Sequence, residues 1–184
     1  MRSLIASVEG EYRRYKALGE GALNQLEDGQ LAAASSVSNS IATIFWHISG
    51  NLKSRFTDFL TSDGEKPWRD RDSEFLARDV TRTELLAKWN DGWQVLFQAL
   101  TDLNDADLDR TVTIRGQPLS VAQALHRSLA HTSYHVGQVV YVAKSLRGTD
   151  WRYLSIPPGQ SAPYNKAPTL ERTPRPLGSA SSSA

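Results

Sequence analysis

Four stretches of the chain carry apolar residues at three- and four-residue steps, the spacing that buries one face of an α-helix. The first is predicted over residues 2–27, where Leu4, Ile5, Val8, Tyr12, Tyr15, Leu18, Ala22, Leu23 and Leu26 form the stripe and Gly29 follows as a stop. The second starts at Asn39 or Ser40, either of which can accept hydrogen bonds from first-turn amides, and runs to about Ser62. Its stripe is Ile41, Ile44, Phe45, Ile48, Leu52, Phe56, Phe59 and Leu60. The third opens on a capping box, Thr81-Arg82-Thr83-Glu84, and buries Leu85, Leu86, Trp89, Trp93, Leu96, Phe97 and Leu100. The fourth opens on a second box, Ser120-Val121-Ala122-Gln123, and continues to about Leu146, with Gly148 as terminator.

The connections differ in character. Between the second and third helices, DGEKPWRDRDSEFLARDV holds Asp-Gly and Lys-Pro pairs that break helix, so a crossover of roughly 16–18 residues is expected. Loops of that length without regular structure are often functional. Between the third and fourth helices, Thr-Val-Thr-Ile reads as a short extended piece that Gly116 turns. Together these elements predict an all-α, four-helix bundle with one long crossover. The bundle domain spans 1–156, and 157–184 is a Pro/Ser-rich tail, irregular or disordered over its last ten or so residues. Trp151, Tyr153, Leu154 and Ile156 are candidates to dock on the bundle.

Composition narrows the function. The 184 residues hold 21 basic and 20 acidic side chains, a net charge of +1. That balance disfavours a nucleic-acid partner or an anionic membrane surface. No run of ~18 apolar residues is present to span a bilayer, and the N-terminus lacks the apolar stretch of a signal peptide. A soluble, cytoplasmic protein is the expectation. With no cysteine, a metal here must be held by nitrogen or oxygen.

The four histidines carry the chemistry. His131 and His135 stand four apart, which places both imidazoles on one helix face about 5–6 Å apart at Cβ. A helix supplies only that pair, and His47, inside the apolar second helix, is the candidate third ligand. Each alone is weak, since a histidine on an apolar helix is more often a hydrogen-bonded core residue. Together, on faces almost free of Asp and Glu, they make a three-histidine site for one divalent transition metal. His126 lies about 140° around the helix from His131 and points off that face. The position after His131 is Thr132, not the glutamate of an HExxH protease. No Glu stands three before any histidine, as di-iron bundles require. Three imidazoles leave coordination positions open, as in catalytic sites. Asn51 and Gln138, each one turn beyond a ligand, can orient a ligand or a bound group. In the crossover, Arg69, Arg71 and Lys66 either hold an anionic substrate or form a solvated loop paired with Asp70, Asp72 and Glu74. Trp68 lines a pocket or anchors the loop.

A histidine in the second helix, followed by a fourth-helix His-x-x-x-His with Val-Gly-Gln, resembles the DinB/YfiT-like metalloprotein superfamily. NSIATIFWHISGNLKSRFTDFLTSDGEKPWRDRDSEF and the tail stretch WRYLSIPPGQSAPYN are similar to a bacterial branch of unassigned function. The likeness covers about residues 1–165. It implies an up-down-down-up bundle, a zinc, nickel or iron ion on His47, His131 and His135, and homodimers. It also implies either a metal-dependent transferase that activates a low-molecular-weight thiol or water, or a non-catalytic, metal-stabilised binding or stress-response protein.

Overall fold

In the computed structural model, residues 2–33 and 39–169 are described. They are mostly helical, with five α-helices and one antiparallel hairpin. Helix α1 is Ser3–Leu23, α2 Ile41–Phe56, α3 Arg82–Thr101, α4 Val121–Arg147 and α5 Ser161–Asn165. Strands β1, Thr111–Ile114, and β2, Gln117–Ser120, pair in register from Thr111–Ser120 to Ile114–Gln117. The extended Thr-Val-Thr-Ile piece thus has a partner strand. None of the described helices is long and apolar enough to cross a membrane.

The caps settle where the helices start. Ser40 Oγ accepts from the Thr43 amide at 3.1 Å. Thr81 and Ser120 both form the reciprocal capping boxes that their sequences announce. The ends are less faithful to the apolar pattern. Helix α1 stops at Leu23, where Arg82 donates to the carbonyls of Leu23 (3.0 Å) and Leu26 (2.6 Å). At the other end Arg2 donates to Leu100 and Leu103 carbonyls at 2.7 and 2.8 Å. These two arginines tie opposite ends together, so α1 and α3 run antiparallel. Helix α2 stops at Phe56, short of Ser62, because Thr57 is extended and Asp58 adopts φ +48. Phe59 and Leu60, which continue the stripe, pack on the core from outside the helix.

Helices α2 and α3 pair along their length and run parallel. Phe45 stacks on Trp89 at 4.1 Å between ring centroids, and Lys53 reaches Asp91 at 2.8 Å. Gly92 makes the approach possible, since a Cβ there would lie 2.7 Å from the Ser49 backbone. Tyr12, Trp89 and Trp93 fill the centre with edge-to-face contacts. Aromatic groups of this size dominate core energetics. Helix α4 packs on α1, with the Tyr12 hydroxyl donating to the Leu125 carbonyl, and on α2, where histidines meet. Leu4 is an exception to the expected stripe, 42% exposed at the start of α1. In the tail, Trp151 and Leu154 are buried, Ile156 is half-buried, and Tyr153 lies exposed near Lys144. Helix α5 forms part of the segment expected to be irregular. The expected disorder of the last ten or so residues falls outside the described residues.

Candidate metal centre

Helix α2 presents His47 toward α4, and α4 presents His131 and His135 toward α2. Their ring centroids lie 4.5–5.2 Å apart. One ligand atom from each falls within 4.8 Å of the other two. His47 Nε2 is 3.2 Å from His131 Nε2. Two nitrogens on one tetrahedral ion at ~2.0–2.1 Å are themselves about 3.3 Å apart. The cluster has the right donors at nearly the right spacing to hold a metal ion.

The remote nitrogens fix which lone pairs are free. His47 Nδ1 is 2.8 Å from Glu74 Oε2, and an ionised carboxylate only accepts, so Nδ1 carries the proton. His135 Nδ1 likewise donates to Gln138 Oε1 at 2.8 Å. In the neutral form of both rings that leaves Nε2 as the atom with a free lone pair. A protonated ring would be useless as a ligand, and the surroundings oppose it. Burial first, then the charges that His135 and His47 would carry, push the His131 pKa down to about 3. His135 is also lowered, chiefly by burial, which the Gln138 hydrogen bond offsets only in part. At neutral pH both are uncharged nitrogen donors.

Glu74 is the support that the sequence did not mark. Its carboxylate accepts from Arg69 Nε and Nη2, both at 2.8 Å, as well as from His47. The side chains of Arg69 and Glu74 are 2% and 5% exposed. Burial pushes the Glu74 carboxyl up, but the bonds from Arg69 and then His47 outweigh it and hold the pKa below the usual range. The Arg69–Glu74 pair is therefore not the solvated ion pair expected of a charged loop. The 3-10 turn Asp72–Phe75 carries Glu74 onto α2 at Gly50, where a Cβ would sit 2.1 Å from Glu74 Oε1. Gly50, three residues after His47 on α2, is the one sequence feature that fits this approach, a residue without a side chain where Glu74 lands.

The crossover, longer than predicted because α2 ends early, is anchored elsewhere too. Asp63 accepts from the amides of Glu65, Arg115 and Gly116 at 2.7–2.8 Å, which stitches it to the hairpin turn. Those amides, Glu65 and Gly116 foremost, lower the Asp63 pKa to about 2. Glu65 then pairs with Arg115 and Arg55 at 2.8 and 3.1 Å.

A cavity of about 430 Å³ adjoins the centre, lined by His47 and His131 among others, a volume suited to a small molecule. Of the second group of sequence candidates, Asn51 and Arg71 line it and Gln138 holds His135. Trp68 does not line it; it is 53% exposed and borders a shallow depression with Trp46 and Lys53. Lys66 also turns away, its ammonium donating to Ser62 Oγ at 2.6 Å and to the Asp63 carbonyl within its own loop. His126 is exposed and outside the cluster. Arg69 lines the cavity, and its Nη1 lacks an acceptor among the described residues. A buried donor left so costs about 1–3 kcal/mol.

Residues 1–160 match the model of a family described as "Protein of unknown function (DUF1572)". No curated protein and no solved structure matches the chain.

Proposed function

The chain belongs to the DUF1572 family, and from its histidine centre we propose a metal-dependent transferase built on a four-helix bundle of the DinB/YfiT-like, up-down-down-up kind. His47, His131 and His135 are the proposed ligands of one divalent transition ion, zinc, nickel or iron. The observation that carries this reading is the Nε2–Nε2 separation of 3.2 Å between rings on two different helices, with the Nδ1 atoms of His47 and His135 each anchored. A carboxylate or amide behind a ligating imidazole is the usual way to fix its tautomer and raise its basicity. A metal so held would supply a Lewis acid that lowers the pKa of a thiol or water. The residues do the rest: Glu74 and Gln138 aim the imidazoles, and the adjoining cavity admits and orients a small substrate. A low-molecular-weight thiol is the proposed nucleophile.

A distance of 3.2 Å also fits a hydrogen bond from a protonated His131 Nε2 to His47 Nε2, a core pair with no metal. Metal content separates the two. Purified protein should hold close to one equivalent of a transition metal that a chelator removes, and thiol conjugation to an electrophile panel should stop on its removal. Protein free of stoichiometric metal would favour the hydrogen-bonded pair. Stoichiometric metal without thiol binding or turnover would favour a non-catalytic, metal-stabilised protein.

A further inference from the structure

Five arginines line the cavity beside the histidines: Arg55, Arg69, Arg71, Arg115 and Arg127, with no acidic residue in the lining among the described residues. They come from four separate parts of the fold, α2, the crossover, the hairpin turn and α4, so no one helix face explains the convergence. Glu65, shared by Arg55 and Arg115, and Glu74, paired with Arg69, offset part of the charge from outside the lining. Arg71 has a loose contact, at 3.6 Å, with an almost fully exposed Asp72, and lies over the Phe75 ring at 5.0 Å. Arg127 is exposed on α4.

The buried member adds to the cluster. Arg69 is 2% exposed and spends Nε and Nη2 on Glu74, yet its Nη1 has no acceptor among the described residues. Buried donors without an acceptor are a minority, and Arg78 Nε and Arg147 Nε are others here; what sets Arg69 apart is its place in the lining of the cavity. A chain whose overall charge is only +1 has gathered five of its guanidinium groups around one cavity. Planar, forked donors in that number match the oxygens of carboxylates and phosphates.

We propose that this cavity is the subsite for a small organic anion carrying carboxylate or phosphate oxygens, which Arg69, Arg71 and Arg127 bind beside the histidine centre. The inference rests on the reading of that centre as the place where a small substrate meets the metal, and it names the substrate's class. Arg55 and Arg115, fixed by Glu65, shape the rim and add to the field. A neutral substrate of the same size would gain nothing from the exposed arginines.

The test is calorimetric titration of full-length protein, metal-loaded and metal-stripped, with succinate, phenyl phosphate and uncharged succinamide. At least one anion should bind stoichiometrically and at least tenfold tighter than succinamide, more weakly as salt rises. Succinate as the better ligand assigns a carboxylate, phenyl phosphate a phosphate. Arg127→Gln and Arg71→Gln, both at exposed positions, should each weaken that anion about tenfold. Arg152→Gln, an equal loss of charge in the tail, should leave it unchanged. Equal binding of anions and succinamide, or an equal effect from Arg152→Gln, would overturn the proposal. Metal content is read separately on the same samples. Stoichiometric metal without anion preference sinks this inference and spares the metal reading, and anion selectivity in a protein that takes up no metal does the reverse.

Discussion

Gly50→Ala is a sharp probe because helix propensity and site geometry predict opposite signs. In an unobstructed helix interior, Gly→Ala stabilises by about 1 kcal/mol. Here the added methyl would lie 2.1 Å from Glu74 Oε1 and 2.8 Å from Cδ, closer than any real contact. Glu74 cannot swing aside at low cost, since its oxygens accept three charge-assisted bonds, from Arg69 and His47, and both Glu74 and Arg69 are buried. Displacing it leaves Arg69 buried without its counter-ion, a change worth about 3–5 kcal/mol. Offsetting the propensity gain leaves a net loss of about 2–4 kcal/mol. For a chain of this size that is a drop in Tm of about 5–15 °C. The same displacement removes the acceptor behind His47, so metal affinity should fall about 10–100-fold. Urea denaturation and a chelator competition would read the two effects on the same samples. Gly10→Ala supplies the control, because nothing lies within 4 Å of its added Cβ; it should gain about 0.8–1 kcal/mol. A Gly50→Ala protein as stable as Gly10→Ala, with unchanged metal affinity, would refute the placement of Glu74 against helix α2.

Other outcomes follow from the same geometry. His131→Ala or His135→Ala should abolish metal uptake while His126→Ala, exposed and outside the cluster, spares it; equal retention by all three, measured by elemental analysis, would contradict the ligand assignment. In metal-stripped protein His131 has its pKa lowered from 6.5 to about 3. The unfolded chain therefore takes up a proton that the folded chain refuses, and stability should be full above pH 6.5 and decline as pH falls toward 3. Urea midpoints at pH 7.5, 5 and 4 would show this, and His131→Ala should flatten the slope. Asp63, held down to about 2, contributes above the ordinary carboxylate pKa and loses its effect as pH falls through 2. The amide proton of Gly116, which donates to Asp63 at 2.7 Å, should titrate with a midpoint near 2; a midpoint near 4 would contradict the stitch between crossover and hairpin.

The parts of this architecture that depend on local chemistry were legible in the residues. Capping boxes at Thr81 and Ser120 located two helix starts, because each hydroxyl accepts from the backbone amide three residues on, and that residue's side chain accepts from the cap amide, an exchange that needs no tertiary partner. The four-residue step between His131 and His135 brought them to one face for the same reason. Helix ends were less legible. Phe59 and Leu60 extend the apolar stripe of α2, yet they pack on the core after the backbone has turned at Asp58, and periodicity does not register that turn. The support around the histidines was hidden for a different reason. Glu74 stands among five charged residues within RDRDSEF, and only the tertiary approach of that segment to Gly50 makes it the buried one. The arginines of the cavity are dispersed over positions 55 to 127, so their convergence is a property of the fold rather than of any motif.

X-ray absorption at the edge of the bound metal tests the central claim most directly. The account predicts one ion per chain surrounded by three imidazole nitrogens at ~2.0–2.1 Å, with one imidazole fewer in His47→Ala. A first shell made only of solvent or carboxylate oxygen, or one that His47→Ala leaves unchanged, would contradict it.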